Sequence, residues 1–221
     1  MILSPGRSYV FIHIPKTGGT AMALALEERA MADDMMLGDT PKASKRRRRL
    51  QGAQARGRLW KHSTLADLEG LVPQTRMERL FAFTLVRNPW DRVLSLYHWL
   101  RKQSFDHPSI PLAKALTFNE FASHPRILAS LRASPAGSYM QTSQGQERCD
   151  LFIRLEQFSR DAQPLFDHLG FDLTLPRANQ SGRPAEWQPL YDQKARDAVA
   201  EACAEDIARF EYSFNDSPID R

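Results

Sequence analysis

Cysteine is scarce in this chain: only Cys149 and Cys203 occur in 221 residues, and nothing around them resembles a metal-ligand cluster. That excludes a disulfide-built scaffold and fits a reducing compartment with both thiols free. Long apolar runs are also missing; none approaches the roughly 20 residues that span a bilayer. The first predicted strand begins near Tyr9, which leaves no room for a secretion leader, so a cytoplasmic location is expected. Acidic residues are absent from Lys42 to Lys61, where nine Lys or Arg residues fall. The other 21 basic residues face 26 acidic ones, so the net charge of +4 comes from this one segment. Aromatics are absent from Gly38 to Gly57, which predicts a mobile surface loop or partly formed helix. Without interleaved aromatics or a recognisable module, that run is poor support for specific nucleic-acid binding.

What the chain does have is a sharp transition near its start. Phe11-Ile12-His13-Ile14 is apolar, Pro15-Lys16-Thr17-Gly18-Gly19-Thr20 is turn-forming, and the helix-forming run Ala21 to Ala30 follows at once. A strand, a glycine turn and a helix N-terminus make a pocket for a phosphate-like anion. Backbone N–H groups converge there, the helix dipole adds partial positive charge, and Lys16 adds a full one. A side chain at Gly18 or Gly19 would hold the backbone away from the anion. The loop does not match G-x-x-x-x-G-K-[ST], because its lysine precedes the glycines.

The rest of the chain alternates strands and helices. Tyr9 to Ile14 and Leu80 to Val86 read as buried parallel strands, and Leu151 to Leu155 as a third. Helices are predicted over Ala21 to Ala32, from Pro89 to about Gln103, over Phe158 to Leu169 and over Gln193 to Phe210. Shorter ones fall at Ser63 to Leu71, Phe118 to Ser123 and Arg126 to Arg132, while Ser104 to Thr117 reads as loop. The pattern is α/β with a parallel sheet, in a single domain spanning residues 1–221 with a basic insert at about 38–58.

A second cationic motif begins where the Leu80 to Val86 strand ends, at Arg87-Asn88-Pro89-Trp90-Asp91-Arg92-Val93-Leu94-Ser95. Asn88 and Pro89 are suited to open a helix. Arg87 falls at the carboxyl end of a strand, the usual ligand edge of an open α/β sheet. Ser95 lies two turns on, so a guanidinium and a hydroxyl can grip a second phosphate.

His13 through Thr20 closely resembles the 5′-phosphosulfate-binding loop of sulfotransferases. Arg87 to Arg92 with Ser95 resembles their 3′-phosphate motif, in the form used by carbohydrate sulfotransferases and bacterial relatives. Lys61-His62, Arg154-Leu155-Glu156, Asn179 with Ser181, and Asp206-Ile207 to Phe210-Glu211-Tyr212 are weaker points of similarity. The resemblance implies a P-loop NTPase-like three-layer α/β/α fold with a central parallel sheet. It implies 3′-phosphoadenosine 5′-phosphosulfate as donor, adenosine 3′,5′-bisphosphate as product, and no metal. Pro15, Lys16, Thr17, Gly18, Gly19, Thr20, Arg87 and Ser95 would then bind the donor, with the threonine hydroxyls helping. The insert at 38–58 is outside the resemblance.

On this reading a sulfuryl group passes to an acceptor hydroxyl, on a carbohydrate or another small alcohol, and the basic segment favours an anionic acceptor. Lys16 is the catalytic cation and His62 the base, with Glu27 and Glu28 competing for that role. His13 packs or orients the loop. Arg154 and Glu156 read as a structural pair, and Asn179, Ser181 and Arg183 as a lid. Trp90 and Trp99 read as core, whereas Trp60 and Trp187 are open to sugar stacking. Two other functions share parts of the pattern: a small-molecule kinase using ATP and magnesium, and a non-catalytic polyanion-binding module.

Overall fold

The computed structural model describes residues 1–176, 184 and 186–217. Asn179, Ser181 and Arg183 lie outside the described residues. The chain divides into two compact units, one running to Val86 and resuming at Ala136, the other containing Arg87–Pro135 and the described residues from 184 onward.

The first unit carries the sheet. Its strands are β1 (Ile2–Ser4), β2 (Tyr9–Ile12), β3 (Met35–Met36), β4 (Phe81–Val86) and β5 (Leu151–Arg154), in the order β3-β1-β2-β4-β5. β2, β4 and β5 are parallel neighbours; β1 runs antiparallel to β2 and β3. The expected α/β sheet is therefore mostly parallel with one reversed strand. The reversal is local: a turn closed by Ser8 N–H to the Pro5 carbonyl (3.2 Å), with Ser8 at φ 52°, sends the chain straight back into β2.

Side chains alternate across the sheet, and both faces are covered. Tyr9, Phe11, Phe83, Leu85 and Ile153 pack against Met22, Ala25 and Leu26 of α1 (Gly19–Glu28) and Leu165, Phe166 and Leu169 of the helix Gln163–Leu169. Ala43 of α2 (Pro41–Arg46) joins that face. Leu3, Val10, Ile12 and Ala82 point the other way, against Leu65, Leu68, Val72, Leu80 and Met77 of α3 (Gln74–Met77). This two-sided burial is why the strands read as near-continuous apolar runs. Thr84 is the polar exception in β4, and its hydroxyl donates to the Ile12 carbonyl at 2.8 Å. The parallel pairing of Ile12 with Thr84 sets the carboxyl ends of β2 and β4 side by side.

The second unit is helical. In α4 (Pro89–Leu100), Trp90, Val93, Leu94, Tyr97 and Leu100 follow a 3–4 residue spacing and are buried against the helices Ser109–Ala115, Phe118–Ala122, Pro125–Arg132 and Gln193–Ala202. Asn88 caps α4 by accepting from the Trp90 N–H at 3.2 Å. A capping box between Thr117 and Glu120 starts Phe118–Ala122.

Several boundaries differ from the sequence reading. Ser109–Ala115 is helix where loop was expected. Pro111 falls in its first turn, where a missing N–H breaks no helical bond. The last long helix is two, broken at Cys203 (φ −113°, ψ 20°) into Gln193–Ala202 and Ala204–Phe210. Phe158 to Leu169 also divides, at Ala162. Both cysteines are free. No helix among the described residues is long and apolar enough to cross a membrane.

The basic segment is partly helical and tied down. Glu27, buried on α1, accepts at Oε2 from Thr40 Oγ1 (2.5 Å), Lys42 N (3.0 Å) and Ala43 N (3.3 Å), so it caps the N-terminus of α2. Arg46 donates to the Met31 carbonyl and Arg49 to that of Ala32, fastening α2 and the 3-10 turn Arg47–Leu50 to the end of α1. Glu27→Ala strands those donors, and a loss of about 1–3 kcal/mol is expected from urea unfolding midpoints. An unchanged midpoint would show that the clasp contributes nothing to folding.

Candidate active site

The loop after β2 is shaped by backbone conformation. Lys16 has φ 68° and Gly18 φ 90°, two left-handed residues within one turn. Thr17 is buried, and its hydroxyl donates to the Ile14 carbonyl at 2.9 Å, so it braces the loop from within. The helix α1 then starts at Gly19 with Gly18 as an N-cap that makes no side-chain hydrogen bond. A helix so begun presents its first-turn amides and the positive end of its dipole to an outside acceptor. Lys16 lies half-buried in the same turn.

The glycines answer to the chain itself. A Cβ on Gly19 would lie 2.0 Å from Cδ2 of His13, and one on Gly18 2.7 Å from Leu155, at a φ that side chains avoid. The sequence argument assigned them to the approach of an anion. The structure adds a demand that holds with no ligand present.

His13, the first residue after β2, connects this loop to His62. Its ring is buried beneath Gly19, and the two imidazole centroids are 4.6 Å apart at 68°. His62 Nδ1 lies 2.7 Å from the His13 carbonyl oxygen. A carbonyl only accepts, so Nδ1 carries the proton and Nε2 keeps the lone pair. Burial pushes the His62 imidazole down to about 4, against a smaller upward pull from that hydrogen bond. His13 is held well below the ordinary histidine range, first by burial and then by neighbouring His62. Both rings are therefore neutral near pH 7. Lys16, the glycine turn, His13 and His62 form one cluster within the first unit.

The competing carboxylates have other places. Glu27 caps α2, as described above, and Glu28 faces solvent. Trp60 stands perpendicular to the His62 ring, with centroids 5.0 Å apart, and is 42% exposed. Trp90 and Trp187 are buried, so Trp187 offers no sugar-stacking surface.

Arg87 follows the last residue of β4 and belongs to the helical unit. Its Nε and Nη2 donate to Asp91 Oδ2 at 2.9 and 2.5 Å, and both side chains are largely buried. Asp91, one helical turn on, thus fixes the plane of the guanidinium. Sequence reasoning missed that role; the i, i+4 spacing of Arg87 and Asp91 was the available signal. Ser95 is buried two turns into α4. Arg154, at the end of β5, pairs with Asp161 (2.8 Å).

A model of the sulfotransferase family matches residues 1–213. The chain belongs to the sulfotransferase family. No curated protein matches it. The crystal structure of mouse sulfotransferase SULT7A1 complexed with PAP is similar in fold, with a TM-score of 0.52 and 16% identity over 96% of this chain and 91% of that one. That likeness shows the P-loop NTPase-like α/β fold expected from the sequence. The protein is an enzyme of the sulfuryl-transfer class.

Buried His13 and half-buried His62 give this sulfotransferase a predictable acid response. His62 titrates near 4 folded and near its ordinary 6.5 unfolded, so between those values only the unfolded chain gains the proton. Stability is expected to fall as pH drops through that window, by about 1–3 kcal/mol from this residue. Thermal unfolding across the range should show it, and His62→Gln should flatten the slope. A variant with the wild-type slope would contradict the assignment.

Proposed function

We propose that this sulfotransferase moves a sulfuryl group from 3′-phosphoadenosine 5′-phosphosulfate to a hydroxyl of a carbohydrate or glycan-like acceptor, acting as one catalytic domain. The observation that carries the reading is the cluster around His13, which sets an anion-binding loop with a lysine beside a neutral imidazole whose Nε2 can accept a proton. Family membership supports the transfer chemistry, and the PAP bound to the mouse sulfotransferase supports the donor. The donor's 5′ end also suits a helix whose cap is a bare glycine, with no side-chain hydrogen bond at its first turn.

Each residue then has a defined task. Backbone N–H groups from Lys16 to Thr20 hold the 5′-phosphate, with the Thr20 hydroxyl assisting and Pro15 setting the entry to the loop. Arg87, braced by Asp91, grips the 3′-phosphate together with Ser95 and fixes the donor's register. His62 Nε2 removes the proton as the acceptor oxygen bonds to sulfur. The bond from sulfur to the bridging oxygen breaks, its electron pair leaves on the 5′-phosphate, and Lys16 neutralises the charge that develops there. Desolvation keeps His62 in the form that can act as base from the start.

Lys16→Ala should lower kcat by about 10²–10³ while the thermal shift produced by adenosine 3′,5′-bisphosphate is largely kept. Turnover is read as transfer from radiolabelled donor to a panel of saccharides, and wild-type turnover in the variant would end the role given to Lys16. The bisphosphate should stabilise the protein more than ATP or AMP, with or without magnesium. A larger shift from ATP with magnesium would instead favour the kinase reading, and polyanion binding that survives loss of Lys16 without any transfer would favour the non-catalytic one.

A further inference from the structure

The basic segment holds several of its cations in two different ways. Arg46, Arg47 and Arg49 donate to the backbone carbonyls of Met31, Gly38 and Ala32, and Lys42 to that of Glu27. Lys61 pairs with Asp39 at 2.6 Å. These groups fasten the segment to its own unit. Arg58 is held differently again: its guanidinium lies over the Trp60 ring, 5.3 Å from the centroid, and it is exposed, with no ion pair among the described residues.

Trp60 is an exposed aromatic on a rigid turn. Its backbone N–H donates to Ser63 Oγ at 2.9 Å, and the same hydroxyl donates toward the carbonyls of Arg58 and Trp60, each 2.9 Å away. Ser63 is fully buried, so the turn is pinned from beneath while the indole stays outside. An exposed indole costs hydration free energy unless something covers it. This one stands beside the imidazole assigned as the base.

We propose that Trp60 and Arg58 form the acceptor subsite, and that they select a sugar ring bearing a carboxylate or sulfate. The apolar C–H face of a sugar stacks on the indole. The planar guanidinium receives the anionic substituent in two parallel hydrogen bonds. A ring so held has its neighbouring hydroxyl within reach of His62, and Asp39, the carboxylate near that imidazole, is paired with Lys61. A neutral sugar gains the stacking and loses the guanidinium. The subsite rests on the sulfuryl-transfer reading but concerns only the acceptor.

The test uses the full chain saturated with adenosine 3′,5′-bisphosphate, and three tetrasaccharides: one uronate-bearing, one sulfated and one neutral. Binding is followed by indole fluorescence and calorimetry. The wild type should prefer the anionic sugars about tenfold, and the uronate and sulfate arms show which anion is favoured. Trp60→Ala should weaken all three about tenfold, with Trp60→Phe restoring most of the loss. Arg58→Gln should abolish the preference for the anionic sugars. Both variants should keep the thermal shift from the bisphosphate, which separates loss of the subsite from loss of the fold. Wild-type affinity in Trp60→Ala, equal affinity of the wild type for all three sugars, or no binding of any of them would overturn the subsite. Absence of the bisphosphate shift in the wild type would instead overturn the donor reading.

Discussion

The hydrogen bond from His62 to the His13 carbonyl is the constraint on which the site turns. It fixes which imidazole nitrogen bears the proton and ties a distant segment to the end of β2. One residue thereby serves two purposes: the His13 backbone orients the His62 ring, and its side chain fills the space under the first residue of α1. Because β2 is flanked by β1 and β4, its end is a poor place for movement. An imidazole hung from such a point inherits the stiffness of the sheet. The same burial that anchors the ring keeps it uncharged, so position and protonation state have a single physical origin.

The basic segment shows how a cluster of like charges is made compatible with a folded unit. Of its nine cations, Lys42, Arg46, Arg47 and Arg49 donate to carbonyl oxygens, and Asp39, Glu27 and Glu69 are among the carboxylates that engage the segment. Arginine is suited to this, since a weakly hydrated guanidinium can donate to several carbonyls at once. The outcome is a surface that stays strongly positive yet has a defined path.

Much of this was legible in the chain because the informative patterns are local. The change from apolar strand to glycine turn to helix, and the Asn-Pro start of α4, are each written within about ten residues. The β1 and β3 strands were not legible, since two or three residues carry no periodicity and exist only through pairing with neighbours. Ser109–Ala115 was obscured by prolines that the first turn of a helix tolerates. The break at Cys203 has no residue-type signal at all. Among the tryptophans, composition could not separate the exposed Trp60 from the buried Trp187, because burial is decided by the tertiary fold. Thr17 looked like a ligand group, but its nearest acceptor turned out to be its own loop.

The crowding at the two loop glycines bears on how such a chain could diverge. Leu155 and the His13 ring already occupy the space a larger residue would need. A descendant that had abandoned sulfur chemistry would still be held to Gly18 and Gly19 by its own interior. Retention of the pair across distant cousins would therefore be a record of architecture before it was a record of catalysis.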